Sequence, residues 1–191
     1  MIVGILLAAG TSKRFGVSDK LLHMMDGKPM VAHAADAMRG AQLDHKIAVI
    51  RSQAVATLLP DFECLDLSAV APQMATSVKS GITRAQELGA DKVLVHLADM
   101  PFVDANVLNL VTTLCTDKVP SAVRLDHGFL PPVCFPKQLL PQLHKMSGDE
   151  GARKLLARWP NIAAVEVPAQ MLVDVDTRME ADGLEQKPKQ L

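Results

Sequence analysis

The chain has no tyrosine, a single tryptophan and only 3% aromatic residues, which leaves little material for base-stacking platforms or an aromatic all-β core. It has no charge excess of either sign: 20 Lys+Arg face 21 Asp+Glu, for a formal net charge of -1. A global basic field that would gather polyanions is therefore missing, and no nucleic-acid partner is expected. Cysteine is also scarce. Cys64, Cys115 and Cys134 are odd in number and widely spaced, so they suggest neither a disulfide framework nor a zinc-ligand pair, and a reducing, cytoplasmic compartment is expected. No apolar run reaches membrane-spanning length, and the apolar opening from Met1 to Gly10 has no basic residue before it; we expect no membrane association.

What is present is ordinary globular composition, 49% apolar and 21% charged over 191 residues, enough for one well-buried α/β domain. We expect one domain over 1–184 and a frayed tail over 185–191. Ile2 to Leu7 reads as a strand buried on both faces. Met30, Val31, Ala34, Ala37 and Met38 have the spacing of a helix that covers one side of a sheet and stops at Gly40. Lys46 to Ile50 is the next strand, Ser52 to Leu59 a short helix, and Val78, Ile82, Ala85 and Leu88 mark a helix ended by Gly89. Lys92 to Ala98 is a further strand, after which Asp104 caps a helix on Val107, Leu108, Val111 and Leu114. The last third is less regular, with short strands expected at 121–125, 133–135, 163–167 and 171–173 around two helices. This alternation predicts a mostly parallel sheet.

The stretch Leu7-Ala8-Ala9-Gly10-Thr11-Ser12-Lys13-Arg14-Phe15-Gly16, with Lys20 shortly after, places small residues and positive charge directly behind a strand. Backbone N–H groups there can turn toward a polyphosphate. It is neither a P-loop nor Gly-x-Gly-x-x-Gly, and by composition alone a basic surface turn fits it equally well. Asp99 follows an apolar strand at its carboxyl end, where a carboxylate can hold Mg²⁺ against phosphate oxygens. Asp174 and Asp176 are two apart and share a face on an extended segment, either as metal ligands or as a solvated edge. Asp149 can cap the helix that carries Ala152, Leu155 and Leu156, while Gly148 and Gly151 allow close backbone approach and Arg153 offers a phosphate fork. The six histidines show no metal pairing: His96 alternates inside a strand, and His127 is a minor acceptor-site candidate.

The 7–16 stretch with Lys20 resembles the signature L-A-A-G-x-S-x-R-x-G-x-x-K of the MobA-like NTP transferase family. Leu97-Ala98-Asp99-Met100-Pro101 resembles that family's metal-binding turn. Gly148-Asp149-Glu150-Gly151-Ala152-Arg153 and Asp174-Val175-Asp176-Thr177 resemble elements of its molybdenum cofactor cytidylyltransferase branch. Two segments depart from that branch: Leu130-Pro131-Pro132-Val133-Cys134-Phe135 replaces Gly-His-Pro-Val-x-Phe, and Asp176-Thr177-Arg178-Met179-Glu180 replaces Asp-Thr-Pro-Glu-Asp.

The resemblance implies a three-layer α/β/α fold of the nucleotide-diphospho-sugar transferase, Rossmann-like kind. It also implies Mg²⁺-dependent transfer of CMP from CTP to the phosphate of the molybdopterin-type molybdenum cofactor, with release of pyrophosphate. It casts Arg14, Lys20 and Asp99 as catalytic; Leu7, Ala8, Ala9, Gly10, Arg14, Lys20 and Ser77 as nucleotide-binding; Gly148, Asp149, Gly151 and Arg153 as acceptor-binding; and Asp99 with Asp176 as metal ligands. A molybdoenzyme or its chaperone would receive the product. The alternatives are a relative that uses GTP or accepts a sugar or alcohol phosphate, and a binding module that delivers the cofactor without catalysis. Ala9, where guanylyl-transferring relatives usually carry glycine, leans toward a pyrimidine.

Overall fold

In the computed structural model, the described residues are 1–11, 15, 19–125, 128–148, 156, 159–173 and 175. Strand β1 (Ile2–Ala8) is buried along nearly its whole length. The Met24–Met25 (β2) and Lys28–Pro29 (β3) hairpin follows, then α1 (Met30–Gly40), β4 (His45–Ile50), α2 (Gln53–Ala56) and β5 (Glu63–Asp66). Helix α3 (Met74–Glu87) leads to β6 (Lys92–Leu97), and α4 (Ala105–Leu114) to β7 (Ser121–Leu125) and β8 (Gly128–Pro136). Helix α5 (Leu140–Leu143) and strand β9 (Ala163–Glu166) complete the regular elements among the described residues.

The seven-stranded sheet has the order β5-β4-β1-β6-β8-β7-β9. Only β8 runs against the others, so the expected mostly parallel sheet is what the chain builds. Strand alternation divides the apolar residues between two layers. Leu6, Ala8, Ala48, Ile50, Leu94 and Ala98 pack against α1 and α4, while Val3, Ile5, Leu7, Val49, Val93 and Val95 pack against α3 and α5. Helix α3 lies close on the sheet at Gly81, where an added Cβ would come within 2.8 Å of Ile5 Cγ2. The three-layer arrangement predicted from the resemblance is thus present. Among the described residues no helix is long and apolar enough to cross a membrane.

The structure corrects one local expectation and adds two elements that the sequence did not suggest. Residues 171–173 are not a strand: Ala169–Leu172 forms a 3-10 turn entered from Pro168, whose carbonyl accepts from the Met171 N–H at 2.9 Å. Three apolar residues in a row carry no period, so the proline's fixed φ decided the matter. Strand β5 went unforeseen because Glu-Cys-Leu-Asp is a short, half-exposed edge strand without a hydrophobic run. The β2–β3 hairpin was also unforeseen, although Asp26 (φ 47) and Gly27 (φ 80) form the two-residue left-handed turn that an Asp-Gly pair favours. The expected helix around Ala152 and Leu155 and the tail over 185–191 lie outside the described residues.

Candidate active site

The chain runs β1, α1, β4 to one side of β1 and then crosses back through α3 to place β6 on the other side. Strand order therefore reverses between β1 and β6, and the carboxyl ends of these two strands flank a crevice of the kind that takes ligands in open α/β sheets. The two ends are tied together, since the Ala98 N–H donates to the Leu7 carbonyl at 3.1 Å. Leu7, Ala8 and Ala9 are buried, whereas Gly10 is exposed with open space where a side chain would begin. The chain thus leaves the core at Gly10 and presents backbone beside the crevice.

Lys20 opens a 3-10 turn (Lys20–Leu22) whose first residues are held by Asp19; the Asp19 carboxylate accepts from the Leu21 N–H at 3.0 Å. From this turn the Lys20 ammonium reaches across to Asp99, with Nζ 2.7 Å from Oδ2. The lysine side chain is 10% exposed and the aspartate 24%. Charges so shielded from water act on a ligand far more strongly than surface charges do. Residues 20 and 99, assigned separately from sequence, are therefore brought into one ion pair at the switch point.

An apolar clasp supports this pair. Phe15, Met25, Met30 and Val175 are buried together, with Phe102 and Val173 packed against them. The Val175 N–H donates to the Asp99 carbonyl at 3.2 Å, and Phe15 stacks edge-on to His23 with ring centroids 5.3 Å apart. The clasp thus joins the signature loop, the β2–β3 hairpin and the segment after Asp99. Sequence reading named Phe15, Met30 and Val175 separately but not their meeting, and it passed over Met25. The Asp-Gly turn that brings in Met25 was the signal that could have found them.

Ser77 lies in the first turns of α3, 7% exposed, and its Oγ donates back to the Gln73 carbonyl at 3.4 Å. Gly148, assigned to the acceptor, meets the same helix end: its carbonyl accepts from the Ala75 N–H at 3.1 Å. Gly148 has φ 59, a left-handed conformation that favours glycine. Ser77 and Gly148 thus sit at the same end of α3, although one was assigned to the nucleotide and the other to the acceptor. Arg14, Asp149, Gly151, Arg153 and Asp176, together with Asp174 and His127, lie outside the described residues.

Among the described residues no group of three or more His, Cys, Asp and Glu side chains gathers to hold a metal. A single partly exposed carboxylate at a strand end still suits Mg²⁺, a hard cation that binds through one or two carboxylates and otherwise through substrate phosphates and water. His96, two residues before Ala98, takes no part. It is fully buried, neither ring nitrogen has a hydrogen-bond partner, and burial pushes its pKa down to about 4.

Residues 4–164 match the MobA-like NTP transferase domain. The chain is 29% identical to the purine catabolism protein PucB of Bacillus subtilis, over 95% of this chain and 94% of that one. It is also 29% identical to the molybdenum cofactor guanylyltransferase of Pseudomonas putida, over 81% of each. Among solved structures, a nucleotidyl transferase from Methanothermobacter thermautotroptrophicus superposes with a TM-score of 0.82 at 21% identity, covering 97% of this chain and 96% of that one. With a matching domain over most of its length and a fold shared with a known nucleotidyl transferase, the chain belongs to the MobA-like NTP transferase family, a family of nucleotidyltransferases.

Proposed function

We propose that this protein transfers a nucleotidyl group from a nucleoside triphosphate to the terminal phosphate of a molybdopterin-type cofactor and releases pyrophosphate. The observation that carries this reading is the shielded Lys20–Asp99 pair at the switch point, beside the exposed backbone of Gly10. The acceptor phosphate is already ionised, so no strong general base is needed, and positioning with charge neutralisation carries the catalysis. An acceptor oxygen forms a bond to the α-phosphorus as the bond from that phosphorus to the bridging β-oxygen breaks. The loop from Leu7 to Gly10 cradles the phosphates, and Lys20 with Arg14 balances the charge that collects on the α-phosphate and the departing pyrophosphate.

Asp99 and Asp176 would hold Mg²⁺, which when bound neutralises phosphate oxygens without proton transfer. Asp149, Gly151 and Arg153 would hold the acceptor together with Gly148. In this reading Ser77 steadies the first turns of α3 near the nucleotide through its bond to Gln73.

The naming of several relatives as molybdenum cofactor guanylyltransferases favours GTP as the donor. CTP is the second reading, favoured by Ala9 and by the 148–153 element. The Ala9 residue is buried within the cluster on the α3 side, so it would bias base choice through the backbone path rather than by touching a base. A molybdoenzyme or its chaperone would receive the product.

Pyrophosphate release measured with GTP, CTP, ATP and UTP, each with and without molybdopterin, tests the proposal. The expected result is acceptor-dependent release that is fastest with GTP. Faster release with CTP would establish the second reading, and no release with any triphosphate would turn the protein into a carrier of the cofactor.

A further inference from the structure

A row of three side chains crosses the carboxyl edge of the sheet, on the other side of the switch point from β4. Strand β8 runs against its neighbours, so its first residues lie at the edge where β6, β7 and β9 end. There Phe129 of β8 is the register partner of Arg124 in β7, and Arg124 is the partner of Glu166, the last residue of β9. Cross-strand partners point to one face of a sheet. Phe129 settles which face, because it is half-buried and packs against the layer under α3 and α5. The Gly148 carbonyl, bonded to the Ala75 N–H, lies on the same side of the sheet.

The three side chains form a stack with a hydrogen-bond acceptor at its rim. The Arg124 guanidinium carbon stands 5.4 Å from the centre of the Phe129 ring, and its Nε lies 3.4 Å from Glu166 Oε1. Phe129 is thus the floor under a flat cation whose side chain is 47% exposed, and Glu166 beside it is 72% exposed. An ion pair so open to water contributes little to stability. A guanidinium steadied on an aromatic ring instead offers its outer face to a second flat ring. A carboxylate at the edge of that ring can accept from two neighbouring N–H groups.

We propose that Phe129, Arg124 and Glu166 form the subsite that holds the ring system of the acceptor, and that this ring is a pterin rather than a sugar. The proposal rests on the reading of the protein as a nucleotidyltransferase acting on a molybdopterin-type cofactor, and adds where the ring of that cofactor is held. A pterin is flat, so it stacks on the Arg124 guanidinium. Its exocyclic amino group and the adjacent ring N–H lie side by side on one edge, so both donate to the Glu166 carboxylate. A sugar phosphate has neither the stacking face nor the paired donor edge. Placement agrees with this chemistry. The Lys20–Asp99 pair and the exposed backbone of Gly10 lie at the ends of β1 and β6, whereas the row lies across β8, β7 and β9. The two substrates thus meet at their phosphates and extend in opposite directions along the edge. Residues 130–135, where the chain departs from the cytidylyltransferase branch, directly follow Phe129, so the floor of the stack borders the segment in which this chain differs.

The test follows two readouts in wild type, Arg124→Ala, Phe129→Leu and Phe129→Tyr. One is pyrophosphate release with the best triphosphate saturating and molybdopterin varied. The other is the fluorescence anisotropy of air-oxidised molybdopterin, a fluorescent pterin that keeps its side-chain phosphate, titrated with protein in the absence of nucleotide. Arg124→Ala and Phe129→Leu should raise KM for molybdopterin and Kd for the probe about tenfold or more, the factor that a stacking platform supplies, with kcat and KM for the triphosphate within about twofold of wild type. Phe129→Tyr, which keeps the ring, should stay close to wild type. The Arg124 side chain is exposed, so its truncation leaves the fold intact. Molybdopterin-dependent release with unchanged constants in both variants would overturn the subsite and leave the transfer reading standing, as would an equal rise in KM for both substrates. Probe binding that weakens as expected, without pyrophosphate release from any triphosphate, would support the subsite and overturn the transfer reading. A wild-type protein that neither binds the probe nor releases pyrophosphate would overturn both.

Discussion

Replacing His96 with leucine should make the protein more stable, and increasingly so as the pH falls. The imidazole lies on the α1 and α4 side of β6, fully buried, with both nitrogens unpartnered. An unsatisfied buried polar group costs about 1–3 kcal/mol, against which a swap of similar volume loses under about 1.5 kcal/mol in packing. A net gain of about 1 kcal/mol at pH 7 is expected. The pH dependence follows from burial, which lowers the His96 pKa from 6.5 in the unfolded chain to about 4 in the folded one. Between these values the unfolded chain binds a proton that the folded chain refuses, so stability falls as pH drops from 6.5 toward 4 and levels off below that. At about 1.4 kcal/mol per pH unit, the whole window is worth about 3 kcal/mol. Urea unfolding of wild type and His96→Leu at pH 7, 6, 5 and 4.5 isolates this effect, because titrating carboxylates contribute equally to both. The wild type should lose about 2–3 kcal/mol more than the variant between the first and last of these pH values. Two curves that fall in parallel would refute the reasoning.

Asp99→Asn should lower turnover about 100-fold or more with the fold intact, because it removes the strand-end anion while keeping its volume; near-normal steady-state rates at saturating Mg²⁺ would count against its role. Lys20→Ala should fall by a similar factor, whereas Lys13→Ala, outside the signature's fixed positions, should change little, and equal losses at both would mean a diffuse basic patch. Arg153→Ala should raise KM for the pterin acceptor far more than KM for the nucleotide, and a substitution at Arg14 should do the reverse, as read by varying each substrate in turn.

The strands and helices that carry the fold were legible because their apolar residues repeat at regular spacing. Ile2 to Leu7, Ile47 to Ile50 and Val93 to Val95 are continuous apolar runs, and Asp104 announced α4, where its carboxylate accepts from the Val107 N–H at 2.9 Å. Lys20 and Asp99 were likewise legible one at a time, each as charge placed just beyond a buried strand. Their pairing was not, since it depends on a crossover through α3 that brings β6 next to β1. The clasp of Phe15, Met25, Met30 and Val175 escaped for the same reason: four apolar residues from distant segments share no period along the chain. Nor does the alternation of β6 say that His96 is left without a partner. Local pattern alone determined that there would be a mostly parallel sheet, whereas the reading of residues 7–20 as a phosphate loop came from their resemblance to a family signature. Which charges face each other, and which polar groups are sealed from water, was decided by strand order and layer packing, because such contacts are made between segments that only the folded sheet brings together.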